Sequence, residues 1–173
     1  AVSTILEKHD KCIILEDDLI VSEKFLEYMN FYLDLYHDTS QVGSISAYTP
    51  PVLYSRSNYF FKGGDCWGWG TWARAWKNFE NDSEYLYKKV KTNKMQFTYY
   101  FTSRNLKLLR DNINYRKSWA INWHSSLFMR DMLTLAPAKT LVRNLGHDGG
   151  RTNSGRTIWF NQNLSNFFLK KYF

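Results

Sequence analysis

The stretch Lys11-Cys12-Ile13-Ile14-Leu15-Glu16-Asp17-Asp18 runs from a short apolar segment straight into three consecutive carboxylates. An apolar run of this length, with charge on both sides, predicts a buried strand in a parallel sheet. Ser22 then stands as an N-cap, and Glu23 suits the positive end of a helix dipole. Phe25, Leu26, Met29, Tyr32, Leu33 and Tyr36 recur at helical spacing and mark one buried face. Val42 to Ser46 reads as the next strand, so that strand, acidic turn, helix and strand form a βαβ unit.

The acidic turn is costly to assemble, because mutual repulsion raises carboxylate pKa values unless something positive lies among them. In open α/β sheets, ligands bind just beyond the carboxyl ends of the strands, where Glu16, Asp17 and Asp18 would lie. Mg²⁺ and Mn²⁺ prefer oxygen ligands, often one or two carboxylates plus the phosphates of a substrate. The turn therefore fits a cation bridging the protein to a diphosphate. The alternative is an acidic entry to the following helix, favoured by the helix dipole. No phosphate-cradling glycine-rich loop accompanies the turn.

Working outward, Tyr48 to Phe61 predicts a loop and a short strand, and Gly63 to Gly70 a glycine-rich turn into a short helix over Thr71 to Trp76. Tyr85 to Asn114 predicts two helices. Ser118 to Met132 predicts another, with Trp119, Trp123 and Leu127 at i, i+4 and i+8. Leu133 to Leu135 and Thr140 to Val142 read as short strands, residues 144–157 as loop, and Ile158 to Phe173 as a final amphipathic segment. No linker or repeat interrupts the 173 residues, which predict one domain.

Charge is divided unevenly. Residues 1–86 carry 13 acidic and 7 basic side chains, and residues 87–173 carry 3 acidic and 16 basic. The acidic half can hold a cation. The basic half can hold a phosphate-bearing ligand or touch an anionic membrane surface, or it is simply a solvated basic surface. Rings such as Tyr99, Tyr100 and Phe101 lie in the basic half, but no RNP-like, KH or zinc-knuckle pattern accompanies them, so nucleic acid is not an expected partner. Aromatic residues make up 18% of the chain, which predicts a ring-rich core or a ring-lined groove. Cys12 and Cys66 alone form neither a disulfide framework nor a zinc site, and a reducing compartment is expected.

Three blocks carry a resemblance to a known family. Cys12 to Met29, with its Glu16-Asp17-Asp18, is similar to the DxD-type segment of GT-A glycosyltransferases. Asp65-Cys66-Trp67-Gly68-Trp69-Gly70-Thr71-Trp72-Ala73-Arg74-Ala75-Trp76 resembles the Trp-Gly-Trp segment of bacterial enzymes that build surface polysaccharides. Ser118 to Trp123, Leu133 to Pro137 and Asn144 to Gly149 are similar to the same enzymes. The likeness extends over roughly residues 1–155, and is nearest to family 2-like transferases and the N-acetylglucosaminyltransferase I group.

The resemblance implies an α/β fold of the GT-A type, a Rossmann-like mixed sheet flanked by helices. Residues 1–173 would form the C-terminal portion of its catalytic domain, the family's nucleotide-binding βαβ region preceding Ala1. It implies an inverting transfer from a nucleotide-sugar donor to a glycan or lipid-linked acceptor, with Mn²⁺ or Mg²⁺, in the cytoplasm or at the inner face of the membrane. Asp18 would contact the metal, with His147 as a further ligand, and Glu16 and Asp17 would orient the ribose or support the metal shell. An inverting enzyme needs a base. Asp148, among the small residues of Gly146 to Gly150, is the first candidate, Asp65 the second, and Asp131 reads as a surface charge. Of Trp67, Trp69 and Trp72, one ring would line the donor or acceptor pocket and the others would be core. Arg143, Arg151 and Arg156 could contact phosphates. A non-catalytic carbohydrate- or nucleotide-binding module is the competing expectation.

Overall fold

A computed structural model describes residues 1–51, 56–92, 103–116, 118–145 and 162–168. Its elements run α1 (Val2–Leu6), β1 (Lys11–Ile14), β2 (Leu19–Val21), α2 (Phe25–Leu35), β3 (Val42–Ser46), β4 (Tyr59–Lys62), β5 (Trp69–Trp72) and α3 (Ala73–Trp76). They continue with α4 (Ser83–Thr92), α5 (Ser103–Tyr115), α6 (Trp119–Phe128), β6 (Leu133–Ala136) and β7 (Val142–Asn144). The fold is mixed α/β, with a mixed sheet flanked by helices.

Five strands form the main sheet in the order β1-β5-β3-β6-β4. Only β3 and β6 pair in parallel; β1 with β5, β3 with β5 and β4 with β6 are antiparallel. This corrects the expectation of a parallel setting for β1, which lies at a sheet edge with all four residues half-buried. β1 and β3 do run in the same direction through α2, as a βαβ unit requires, but β5 lies antiparallel between them. The five residues of β3, by contrast, are all buried.

β5 explains how the two faces are covered. Side chains alternate along a strand. On one side, Trp72 Nε1 donates to the Leu33 carbonyl at 3.0 Å, and a Cβ at Gly70 would lie 2.9 Å from Met29 Cε. That side is packed by α2 through Phe25, Tyr28, Met29, Tyr32 and Leu33. Leu26, expected in this stripe, is instead 59% exposed, because it falls at the stripe's margin on the first turn. On the other side, Trp69 meets Trp76 of α3 and Trp119 and Trp123 of α6, with centroids 5.5–6.0 Å apart. Full burial of Trp69 and of Trp123 contributes on the order of 2–3 kcal/mol each.

Gly63 to Gly70 does not remain a turn throughout, since Trp69 already pairs with Ile14 and Ser46. The helix expected from Thr71 accordingly begins at Ala73. α4, α5 and α6 share a second apolar cluster of Leu86, Val90, Leu109, Ile121 and Phe128. β2 and β7 form a separate two-stranded ribbon. Ser22 N–H donates to the Leu141 carbonyl and Leu141 N–H to the Ala47 carbonyl, each at 2.8 Å, which ties the ribbon to the end of β3. Ser22 Oγ accepts a 3.1 Å bond from Lys24 N–H in the turn before α2, but the N-cap position falls at Lys24 and not at Ser22 as expected, because the helix begins only at Phe25. Residues 162–168 add Phe168, edge-on to Tyr28 at 5.4 Å. No helix among the described residues is long and apolar enough to cross a membrane.

Gly68 tests this architecture. Its φ of +62° is left-handed, and a Cβ there would approach Val142 Cγ1 to 2.7 Å and Phe25 Cε2 to 3.1 Å. Gly68→Ala is expected to destabilise the fold by about 1–3 kcal/mol. Urea titration should show a lower midpoint with an unchanged m-value.

Candidate active site

β1, β3 and β6 deliver their carboxyl ends to one edge of the main sheet, and the segment entering β5 starts from the same edge. β1 ends at Ile14, and Glu16 to Leu19 form a turn closed by Leu19 N–H to the Glu16 carbonyl at 3.3 Å. Asp17 is exposed at the centre of this turn, while Glu16 and Asp18 are half-buried. The Asp18 carbonyl accepts from Leu145 N–H at 2.8 Å, which holds the turn against the end of β7. Asp18 Oδ1 is buried and has no hydrogen-bond partner among the described residues.

Asp65 reaches the same edge from the segment before β5. Its Oδ2 accepts from Ser46 Oγ at 2.7 Å and its Oδ1 from Cys66 N–H at 2.7 Å. Gly63 and Gly64 just before it lie close against α6. A Cβ at Gly63 would collide with the His124 ring at 2.5 Å, and one at Gly64 with Trp123 Cδ1 at 2.7 Å. His124 Nδ1 lies 2.9 Å from the Gly64 carbonyl, and burial holds the His124 pKa below its ordinary value.

The electrostatics bind these pieces into one site. Burial raises the Glu16 pKa, and the charges of Asp18, Asp17 and Asp65 raise it further, in that order. Burial likewise raises the Asp65 carboxyl, opposed by its hydrogen bonds from Ser46, Cys66 N–H and Trp67 N–H. The Cys66 thiol is pushed up by burial and then by Asp65, Glu16 and Asp18, and burial pushes Cys12 up to about 11. Neither free cysteine is a thiolate at neutral pH.

Trp67 is half-buried at this edge, its ring 4.5 Å from and edge-on to Tyr48. Tyr48 itself feels the Asp65 charge after the larger effect of its own burial. Trp69 and Trp72, by contrast, are fully buried in the core, so neither ring lines the site. Trp67 is thus the one ring of the three left to do so. Asp131, expected on a helix, follows α6 at φ +54°, more than half exposed and paired with Lys62. Arg143 lies opposite Ile20 in the ribbon. His147, Asp148, Arg151 and Arg156 lie outside the described residues.

Ser46 and Tyr48 went unnoticed in the sequence, since a serine closing a buried strand and a tyrosine opening a loop carry no signal by themselves. The Ser46 bond to Asp65, and the nearness of Tyr48 to that charge, depend on β5 entering the sheet beside β3. Among the described residues, no group of three or more His, Cys, Asp or Glu side chains is arranged to hold a metal ion. The described residues of this edge therefore offer no all-protein metal cage. The buried, unpartnered Asp18 Oδ1 fits instead a cation held by one or two carboxylates and completed by phosphate oxygens.

The chain matches no family model and no curated protein.

The raised Glu16 pKa has a sign that can be measured. The folded chain binds the Glu16 proton more tightly than the unfolded one, so ionisation penalises folding above the folded-state pKa. The penalty fades as pH falls through that value and is gone below the ordinary 4.5. Glu16→Gln is expected to raise the melting temperature at pH 7 by about 1–2 °C, a small gain because solvent screens a half-buried carboxylate. Melting curves from pH 7 to pH 4 should show the gain vanish.

Proposed function

We propose that this protein transfers a sugar from a nucleoside-diphosphate donor to an acceptor hydroxyl, through a GT-A-type site that uses Mn²⁺ or Mg²⁺. The observation that carries the reading is Asp18 Oδ1, a buried carboxylate oxygen with no hydrogen-bond partner among the described residues, beside two further carboxylates of raised pKa. Leaving a buried acceptor unpaired costs about 1–3 kcal/mol, and a bound cation removes that cost. When bound, the cation supplies Lewis-acid charge that stabilises a departing diphosphate.

The chain's own groups divide the remaining tasks. Asp18 would hold the cation, Glu16 and Asp17 would orient the ribose or the metal's water shell, and the half-buried Trp67, backed edge-on by the buried Tyr48, would offer an aromatic wall for a sugar ring. Asp65 receives the acceptor proton as the acceptor oxygen bonds to the anomeric carbon and the bond to the diphosphate oxygen breaks. A carboxylate whose pKa is raised by burial is a better base than a solvated one. Ser46 and the backbone amides of Cys66 and Trp67 keep its oxygens in place. Asp148 is a second candidate base and His147 a second candidate ligand, as the resemblance implies. The basic half of the chain supports an acceptor carrying a lipid phosphate at a cytoplasmic membrane face, in the assembly of a bacterial surface polysaccharide.

Calorimetric titration of Mn²⁺ together with UDP, GDP or CDP tests the reading. At least one pair should bind, and Asp18→Ala should weaken it at least about tenfold, the effect of losing roughly 1.4 kcal/mol. Asp65→Asn should leave that binding in place yet lower hydrolysis or transfer of the donor sugar by about 10²–10⁴-fold. Absence of metal-dependent nucleotide binding in the unaltered, folded protein would sink the proposal.

A further inference from the structure

A cleft of about 620 Å³ opens between the start of α4, the end of α5 and the start of α6, away from the acidic turn. Its size lies within the range of small-molecule sites, roughly 300–1,000 Å³, but its walls are mostly polar rather than apolar. Asp82, Glu84, Asn112, Arg116, Trp119 and Asn122 all line it.

The floor is fixed in advance. Asn112 Nδ2 donates to Ser83 Oγ and to the Ser118 carbonyl, each at 3.0 Å, while its Oδ1 accepts from Ser118 N–H at 2.8 Å. Ser83 Oγ donates to Asn122 Oδ1 at 2.9 Å, and Asn122 Nδ2 to the Asn81 carbonyl at 3.1 Å. One buried amide network thus joins three helices at the floor of the cleft. Arg116 is held there at φ +47°, a conformation uncommon outside glycine, by its N–H bond to the Asn112 carbonyl at 3.0 Å. A floor ordered before binding reduces the entropy lost when a ligand enters.

The chemistry of the lining selects the class of ligand. Trp119 is 37% exposed, and its ring is stacked at 5.5 Å on the fully buried Trp69, so it forms a rigid platform with one open side. An indole face is electron-rich and apolar, which suits the slightly positive C–H face of a pyranose. Two carboxylates and one guanidinium share the rim, so positive charge is not concentrated as a phosphate would require. Such mixed donors and acceptors match hydroxyl groups, each of which both donates and accepts. The cleft is also linked to the sheet edge. Trp69, beneath Trp119, lies opposite Ser46, the residue that bonds Asp65.

We infer that this cleft is the glycan-binding subsite for the acceptor, with a hexopyranose ring laid on Trp119 and its hydroxyls bonded to Glu84, Asp82 and Arg116. The acceptor role rests on the glycosyl-transfer reading; binding of a neutral saccharide does not.

The test is a titration of the ¹⁵N-labelled protein with lactose, maltose and N,N′-diacetylchitobiose at millimolar concentrations. The indole N–H signal of Trp119, assigned with Trp119→Phe, is followed. At least one disaccharide should shift it saturably, and Arg116→Ala or Glu84→Gln, both at the cleft rim, should weaken that binding about tenfold. A Trp119 signal unmoved by all three sugars overturns the inference, as does a shift that persists at full affinity in the Arg116→Ala, Glu84→Gln double variant. Mn²⁺ with UDP, GDP or CDP is titrated into the same samples. Nucleotide binding without a saccharide response removes the cleft alone. A saccharide response without nucleotide binding upholds the glycan site and removes its acceptor role together with the transfer reading.

Discussion

β5 must pass antiparallel between β1 and β3 while fitting against α2 on one face, where Gly70 alternates with the Trp72 indole, and presenting the whole Trp69 indole to α6 on the other. Four residues meet both demands: Gly70 leaves room for Met29 and Leu33, and Trp69 fills the space between Trp76, Trp119 and Trp123. The left-handed turn at Gly68 brings the chain to that strand under Val142 and Phe25. Because β5 starts at the edge where β1 and β3 end, whatever precedes it is delivered beside the acidic turn. The packing of one strand therefore fixes the position of Asp65. A bulkier residue at Gly68 or Gly70 would disturb core and site together.

Gathering Glu16, Asp18 and Asp65 at one edge opposes folding at neutral pH, since burial and mutual repulsion both raise the Glu16 pKa. Backbone and hydroxyl donors offset this at Asp65, where Ser46, Cys66 and Trp67 act against the burial penalty. At Asp18 Oδ1 no described residue offers a comparable bond. The asymmetry separates the two carboxylates chemically. Asp65 is an internally satisfied acid whose oxygens are oriented, suited to handling a proton. Asp18 keeps a buried oxygen with no described partner, which the proposed reaction would give to a cation.

Much of the architecture was legible because its signals are local. The apolar run before Glu16, the helical spacing from Phe25 to Tyr36 and the short strands at Val42 and Leu133 all depend on periodicity within a single element. Sheet order was not legible, because strand direction depends on partners far away in the chain. A four-residue apolar run reads the same at a parallel centre as at an antiparallel edge. The same distinction governs the site. Glu16, Asp17 and Asp18 were visible as a run, and Asp65 only as a runner-up to Asp148. The bond from Ser46 to Asp65 required two strands to be neighbours before either residue had meaning. Trp69 shows the converse: a tryptophan between glycines reads equally as pocket wall or core, and only its three indole neighbours decide for core.

The aromatic surplus resolves into two uses. Rings fill much of the core, where the buried Trp69 and Trp123 form a continuous packed group with the half-buried Trp76 and Phe79. Trp119 packs on this group and is 37% exposed, while its inner contact, Trp69, is a ring with no exposure at all. An isolated surface indole would sample several rotamers and lose entropy on binding; one stacked on a buried indole has already lost it. A ring-rich core thus does more than exclude water. It holds the exposed Trp119 ring against a buried one, beside the strand that positions Asp65. In the proposed reaction that coupling has a physical use. A transfer step is sensitive to displacements of about 1 Å between acceptor oxygen and base, and both ends trace to one residue of β5: Trp119 packs on the Trp69 ring, while Trp69 pairs in register with Ser46, which bonds Asp65.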